Sequence, residues 1–164
     1  MKKIEMVDLK GQYKKIEKEI NDSISKVIEN TSFINGPSVS NFKENLKEYL
    51  GVRHVITCAN GTDALQICLM SLDLKPGDEV ITTDFTFAST VEVIMLLGLT
   101  PVLVDVDPVN FNIDMQKIRK SITKNTKVII PVHLFGQSVD MDELLSISQE
   151  FGLKIIEDNA QAMG

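Results

Sequence analysis

The segment from Asn60 to Asp63 has residue types that can hold a phosphate group. A β-rich stretch precedes it and a helical pattern follows, so this turn stands at the start of a helix. Gly61 lets a ligand approach the backbone. Thr62 and Asp63 offer amides that a helix leaves unpaired, with the Thr62 hydroxyl as a further donor. The alternative is an ordinary turn in which Thr62 or Asp63 is the helix N-cap.

Two phenylalanines, Phe85 and Phe87, follow a predicted strand that ends at Thr83. Aromatic rings at the junction of a strand and a helix can stack on a flat ligand. The chain has two Tyr, seven Phe and no Trp, so two rings at one junction stand out. The alternative is that both rings pack in the core at the start of the helix.

Two carboxylates, Glu157 and Asp158, follow the apolar pair Ile155-Ile156. A carboxylate at the end of a buried strand can pair with a ring nitrogen and keep it protonated, which a pyridoxal cofactor needs to act as an electron sink. The alternative is that Asp158 caps a helix. Ligands of open α/β sheets bind beyond the carboxyl ends of the strands, and each of these segments follows such an end.

Alternating apolar and amphipathic stretches predict the elements that position these segments. We predict strands at 54–59, 79–83, 101–106, 127–133 and 154–157, and helices at 12–29, 41–50, 62–72, 87–97, 114–121 and 141–151, with Ser40 as the N-cap of the second helix. The strands are nearly continuous Val and Ile stretches, which is typical of strands buried on both faces. The pattern therefore predicts an α/β fold, a mainly parallel sheet with helices on both faces.

The composition of the chain indicates which partners the protein is unsuited to bind and in which cellular compartment we expect it. The 164 residues are 43% hydrophobic and 24% charged, as in a soluble globular protein, and the net charge of −6 disfavours nucleic acid and anionic membranes as partners. No apolar stretch has the roughly 18 residues of a membrane helix, and no signal peptide is visible, so we expect a cytoplasmic protein. Cys58 and Cys68 have no zinc-site spacing, so we expect no metal and two buried free thiols.

Motifs along nearly the whole chain resemble one family. They are Val7-Asp8-Leu9-Lys10, Phe33-Ile34-Asn35-Gly36, Ala59-Asn60-Gly61-Thr62-Asp63-Ala64-Leu65, Pro76-Gly77-Asp78-Glu79-Val80-Ile81, Pro131-Val132-His133-Leu134-Phe135-Gly136-Gln137 and Ile156-Glu157-Asp158-Asn159-Ala160-Gln161-Ala162. In this order they resemble the N-terminal portion of the DegT/DnrJ/StrS aminotransferases, fold type I enzymes that use pyridoxal 5'-phosphate (PLP). The resemblance runs from about Val7 to Gly164.

The resemblance implies cofactor-binding roles for particular side chains and amides. Gly61 and Thr62, with the Asp63 amide, would hold the phosphate, Phe87 would stack on the pyridine ring, Asp158 would pair with the pyridine nitrogen, and Gln161 would hydrogen-bond the ring hydroxyl oxygen. His133 is the last residue of a predicted strand that ends near this site, and it is either a structural histidine or a support for the site.

The resemblance also implies how this chain is divided and which parts of the protein lie outside it. Residues 1–50 would form an N-terminal helical segment, and residues 51–164 an incomplete PLP-binding large domain. The family's Schiff-base lysine would follow Gly164, so this chain would hold no catalytic residue and would be inactive alone. The neighbours of the strand at 54–59 would also come from that later part.

The implied activity is the transfer of an amino group from glutamate to a nucleotide-linked keto-sugar. The motif around Asn60 is most similar to the branch that acts on UDP-3-keto-N-acetylglucosamine uronates, in the synthesis of amino sugars and surface polysaccharides. The implied protein is a homodimer whose partners are the nucleotide sugar and glutamate. Two alternatives stay open: a deoxysugar dehydratase that uses pyridoxamine phosphate (PMP), and a non-catalytic truncated product.

Overall fold

The computed structural model describes residues 7–163, in two compact units divided between Thr57 and Cys58. The division predicted from the sequence lies between residues 50 and 51. Residues 1–6 and Gly164, which the predicted segments 1–50 and 51–164 include, lie outside the described residues.

The first unit contains two helices, α1 (Leu9–Glu29) and α2 (Pro37–Leu50). The Asp8 side chain caps α1 by accepting the Gly11 amide at 2.8 Å. The prediction that Ser40 caps the second helix is wrong, because α2 already begins at Pro37 with Gly36 as its N-cap. Proline suits the first helical position, where its fixed φ is helical and its missing amide is not needed.

The predicted strand at 54–59 is also wrong, because this stretch is irregular in the structure. A strand needs a neighbour for its backbone amides and carbonyls, and within residues 7–163 no strand pairs with this one. Cys58 is consequently exposed rather than buried as expected. Cys68 is exposed as well, since it lies on the outer side of a helix whose Leu65 and Leu69 face the core.

The second unit holds a parallel sheet of four strands among its described residues. The strands are β1 (Glu79–Thr83), β2 (Thr100–Val104), β3 (Thr126–Ile130) and β4 (Lys154–Ile155), in the spatial order β2-β1-β3-β4. The helices are α3 (Gly61–Met70), α4 (Ser89–Leu96), α5 (Met115–Ser121) and α6 (Met141–Phe151). β1 and α6 have the predicted bounds, and most other ends differ by one to three residues.

β3 and β4 end two or three residues before the predicted ends. Pro131 has no amide to donate, so the ladder is interrupted after Ile130. The segments that follow β3 and β4 stay adjacent beyond that point. The Asp158 amide donates to the Pro131 carbonyl at 2.9 Å, and Val132 and Asp158 form an isolated parallel bridge.

The sheet has a hydrophobic core on each face, which confirms the predicted α/β fold. On one face Ile81 and Ile129 pack with side chains from α5 and α6. On the other face Val80 and Val128 pack with side chains from α3 and α4. Successive strand residues point to opposite faces, so a continuous apolar strand supplies both cores.

Candidate functional site

The N-termini of α3 and α4 both lie at the carboxyl edge of the sheet. α4 follows β1 and leads back to β2, so it begins at that edge. α3 packs against α4, and Leu69 and Met70 at its end line a surface cavity together with Leu97 and Leu99 just past α4. The two helices therefore run in the same direction, and α3 begins at the edge where Asp158 follows β4.

Asn60 is the N-cap of α3, so the alternative that Thr62 or Asp63 caps this helix is wrong. The Asn60 Oδ1 atom accepts the Asp63 amide at 2.9 Å, and its Nδ2 atom donates to Asp63 Oδ2 at 3.1 Å. The cap occupies the Asp63 amide, so this amide is not free for a phosphate as the resemblance implied. The amides of Gly61 and Thr62 find no acceptor within residues 7–163.

The space in front of α3 can accommodate a phosphate group. A Cβ atom built on Gly61 would meet no other atom within 4 Å. Two unpaired amides, the positive end of the helix dipole and the Thr62 hydroxyl border this space. The residues present therefore fit a phosphate without any basic side chain.

Asp158 is buried, with 8% of its surface exposed, and its carboxylate is held at both oxygens. Oδ2 accepts the Thr90 hydroxyl at 2.9 Å, and Oδ1 accepts the Ala160 amide at 3.2 Å. Asp158 caps no helix in the described part of the chain, since a turn follows it. Nor does it form an ion pair with any residue between 7 and 163. A buried carboxylate without a cation suits a protonated ring nitrogen as its partner.

Gln161 is oriented by a backbone amide. Its Oε1 atom accepts the Phe135 amide at 2.7 Å, which leaves the Nε2 atom as the donating end of the side chain. Phe135 adopts φ of 56°, a conformation that phenylalanine rarely takes. A ring hydroxyl oxygen would therefore meet a donor at Gln161, as the resemblance implies.

Phe87 and Phe85 are exposed, so the alternative that both pack in the core is wrong. Phe87 is 72% exposed and stands just before α4, where its carbonyl accepts the Thr90 amide at 3.3 Å. The Phe85 ring instead contacts the Phe135 ring edge-on, with the centroids 6.4 Å apart. The Phe87 ring is thus left free to stack on a ligand beside Thr90.

His133 is a structural residue with both ring nitrogens satisfied. Nδ1 accepts the Val139 amide at 3.0 Å, so the ring proton belongs on Nε2, which lies 2.9 Å from Glu157 Oε2. Val139 is part of the core that contains α5 and α6. His133, which is hydrogen-bonded to Val139, therefore lies on the face of the sheet opposite the core that contains α3 and α4.

The structure thus joins Asp158 to the α4 terminus and Gln161 to the turn at Phe135. Neither Thr90 nor Phe135 was assigned a role from the sequence, although Phe135 stands in one of the quoted motifs and Thr90 follows Phe87 by three residues. In the described part of the chain, no cluster of three or more His, Cys, Asp or Glu side chains could hold a metal ion. None of the helices between residues 7 and 163 has the length and apolar character of a membrane span.

Comparison with known proteins identifies the family. The profile of the DegT/DnrJ/EryC1/StrS aminotransferase family matches residues 14–164. The chain belongs to this family. The family assignment made from the motifs is therefore confirmed.

Individual relatives agree with this assignment over nearly the whole chain. A UDP-2-acetamido-2-deoxy-3-oxo-D-glucuronate aminotransferase of Pseudomonas aeruginosa is 45% identical over 161 residues, which cover 98% of this chain and 45% of that protein. The crystal structure of a DegT DnrJ EryC1 StrS aminotransferase from Brucella abortus has a TM-score of 0.93 at 44% identity, with 98% of this chain and 45% of that chain covered.

A third relative was solved with a cofactor. The crystal structure of NtdA from Bacillus subtilis with bound PMP has a TM-score of 0.87 at 39% identity, and the match covers 90% of this chain and 34% of that chain. This chain thus spans half the length, or less, of the proteins it matches.

Proposed function

We propose that this chain is the N-terminal part of a PLP-dependent aminotransferase. The complete enzyme moves an amino group from glutamate to a nucleotide-linked keto-sugar of the UDP-3-keto-N-acetylglucosamine uronate type. The observation that carries the proposal is the buried Asp158 carboxylate, held by Thr90 and Ala160 with no cation beside it in the described residues. The Pseudomonas aeruginosa relative, named for a substrate of this kind, supports the choice of sugar.

Each part of the site has one task in this proposal. Gly61 and Thr62 bind the phosphate through two amides and a hydroxyl, and Asn60 caps the same helix by accepting the Asp63 amide. The Asp158 carboxylate keeps a proton at the ring nitrogen, and the Gln161 Nε2 atom donates to the ring hydroxyl oxygen. The exposed Phe87 ring covers one face of the cofactor and excludes water from it. PLP, when bound, supplies the electron sink for amino-group transfer.

The remaining components come from the rest of the protein. The lysine that reacts with the cofactor follows Gly164, and the active protein is a cytoplasmic homodimer. The described residues therefore supply cofactor binding but no reactive amine at the site. The 164-residue chain alone has no transaminase activity in this proposal.

The test uses the full-length protein that contains this chain, reconstituted with PLP. Glutamate alone converts the absorbance band of bound PLP to that of PMP, and a UDP-linked 3-keto-sugar restores it. The 164-residue chain and the Asp158→Asn variant serve as controls, and neither completes the cycle. A full-length protein that binds no PLP, or that carries histidine where the lysine is expected, contradicts the proposal; the histidine would favour the PMP-dependent dehydratase.

A further inference from the structure

We propose that Thr90 is a positioning residue that sets the direction of the Asp158 carboxylate. The proposal rests on the proposed function, because the direction matters only if Asp158 meets a cofactor ring. Thr90 does not touch the reacting atoms. It acts through Asp158, from a helix on one side of the sheet.

The geometry ties Thr90 to one oxygen of the carboxylate. Thr90 is fully buried, and its Oγ1 atom lies 2.9 Å from Asp158 Oδ2, across 68 residues of sequence. The Ala160 amide donates to the other oxygen, Oδ1, at 3.2 Å. With one donor on each oxygen the carboxylate cannot rotate without breaking a buried hydrogen bond, and each oxygen keeps a free lone pair for a further donor.

The position of Thr90 makes this hydrogen bond informative. A threonine hydroxyl in a helix commonly bonds a carbonyl in the preceding turn of its own helix. Here the hydroxyl donates to Asp158 instead, in the first turn of α4, one turn after Phe87. The same turn of chain therefore bears the ring assigned to stacking and the hydroxyl that aims the carboxylate.

Another buried threonine provides a matched control. Thr82 is fully buried like Thr90, and its Oγ1 atom donates at 2.9 Å to the Ile130 carbonyl rather than to a site residue. Replacing either threonine by valine removes a buried hydroxyl and keeps the shape. A purely structural role for Thr90 predicts that the two variants behave alike.

The experiment compares Thr90→Val, Thr90→Ser and Thr82→Val in the full-length protein. The readouts are thermal unfolding of the cofactor-free form, the dissociation constant for PLP, and the rate of the half-reaction with glutamate. We expect Thr90→Val to weaken PLP binding about tenfold and to slow the half-reaction, because one charge-assisted hydrogen bond is lost. Thr90→Ser keeps the hydroxyl and restores most of both. Thr82→Val lowers the unfolding temperature but leaves PLP affinity unchanged.

A double-mutant cycle with Asp158→Asn tests whether Thr90 acts through Asp158. If Thr90 acts through Asp158, the effects of Thr90→Val and Asp158→Asn on PLP affinity are not additive. If Thr90→Val does not fold, Thr90→Ala replaces it, compared with Thr82→Ala. Unchanged PLP affinity and rate in a folded hydroxyl-free variant would overturn the role of Thr90 while leaving the proposed function standing. Failure of the wild-type protein to bind PLP would instead refute the proposed function.

Discussion

Substitution of Gly61 by alanine has opposite effects on stability and on cofactor binding if a phosphate group occupies the space before α3. Gly61 is the first residue of this helix and does not have a positive φ, so alanine fits its backbone conformation. Alanine at such a position stabilises a protein by about 0.4–1 kcal/mol, mainly by restricting the unfolded chain. A Cβ atom there meets nothing within 4 Å, so the cofactor-free protein has no clash to offset this gain.

The same methyl group occupies the space that a phosphate needs. A phosphate within hydrogen-bond distance of the Gly61 and Thr62 amides would be pushed back, and two charge-assisted hydrogen bonds would lengthen. Each contributes about 1.5–3 kcal/mol. Loss of even one weakens PLP binding by about tenfold or more. The assay is urea unfolding of the cofactor-free full-length protein, followed by a PLP titration monitored by absorbance.

Gly51 gives the matched control. A Cβ atom there also meets nothing within 4 Å, but Gly51 has φ of 64° at the end of α2. Alanine in this left-handed conformation costs about 1–2 kcal/mol, so Gly51→Ala lowers stability and leaves PLP affinity unchanged. Equal PLP affinity of Gly61→Ala and the wild type would refute the assignment of the phosphate to this helix terminus.

Two further predictions concern the helix cap and an exposed ion pair. Asn60→Ala loses the 2.9 Å hydrogen bond from the Asp63 amide and lowers the free energy of unfolding by about 1 kcal/mol, while Asn60→Ser retains most of it; urea unfolding measures both. The hydrogen bond from Lys117 lowers the pKa of Asp105, and the pKa of Lys117 is raised in turn. A carboxyl group whose pKa is lowered in the folded state stabilises the fold fully above the pKa it has in the unfolded chain, and this stabilisation is lost as the pH falls through the folded-state pKa. Lys117→Met therefore costs a little stability at neutral pH and none in acid. An NMR titration that finds the pKa of Asp105 unchanged in this variant would contradict the assigned cause.

The sequence predicted best the elements that depend on neighbouring residues. α6 has the predicted bounds because Asp140 caps its start and Gly152, with φ of 67°, ends it, and both signals are local. The predicted strand at 54–59 was wrong because no strand within residues 7–163 pairs with it. A β-rich composition indicates where a strand fits but cannot supply the strand beside it.

The same distinction separates the two ends of the candidate site. The proposed phosphate end lies within four residues, from Asn60 to Asp63, so a short motif was enough to propose it. The ring end joins Thr90 to Asp158 over 68 residues and Phe135 to Gln161 over 26, and no local pattern reveals such pairs. The Thr90 hydroxyl and the Phe135 amide were therefore missed, although the residues they hold were predicted.

The two ends of the proposed site depend on different elements, so a substitution at one end should leave the other end unchanged. In the proposed site the phosphate end depends on the first turn of α3, so we expect substitutions there to alter the affinity for phosphate and to leave the Asp158 carboxylate in place. The ring end depends on the hydrogen bond from Thr90 in α4 to Asp158 beyond β4, so we expect loss of the Thr90 hydroxyl to misdirect the carboxylate while the phosphate turn stays intact. Gly61→Ala and Thr90→Val therefore act on separate parts of the site, and their effects on PLP binding free energy should add to within about 0.5 kcal/mol. A strong coupling between them would mean that α3 and α4 move together when the cofactor binds.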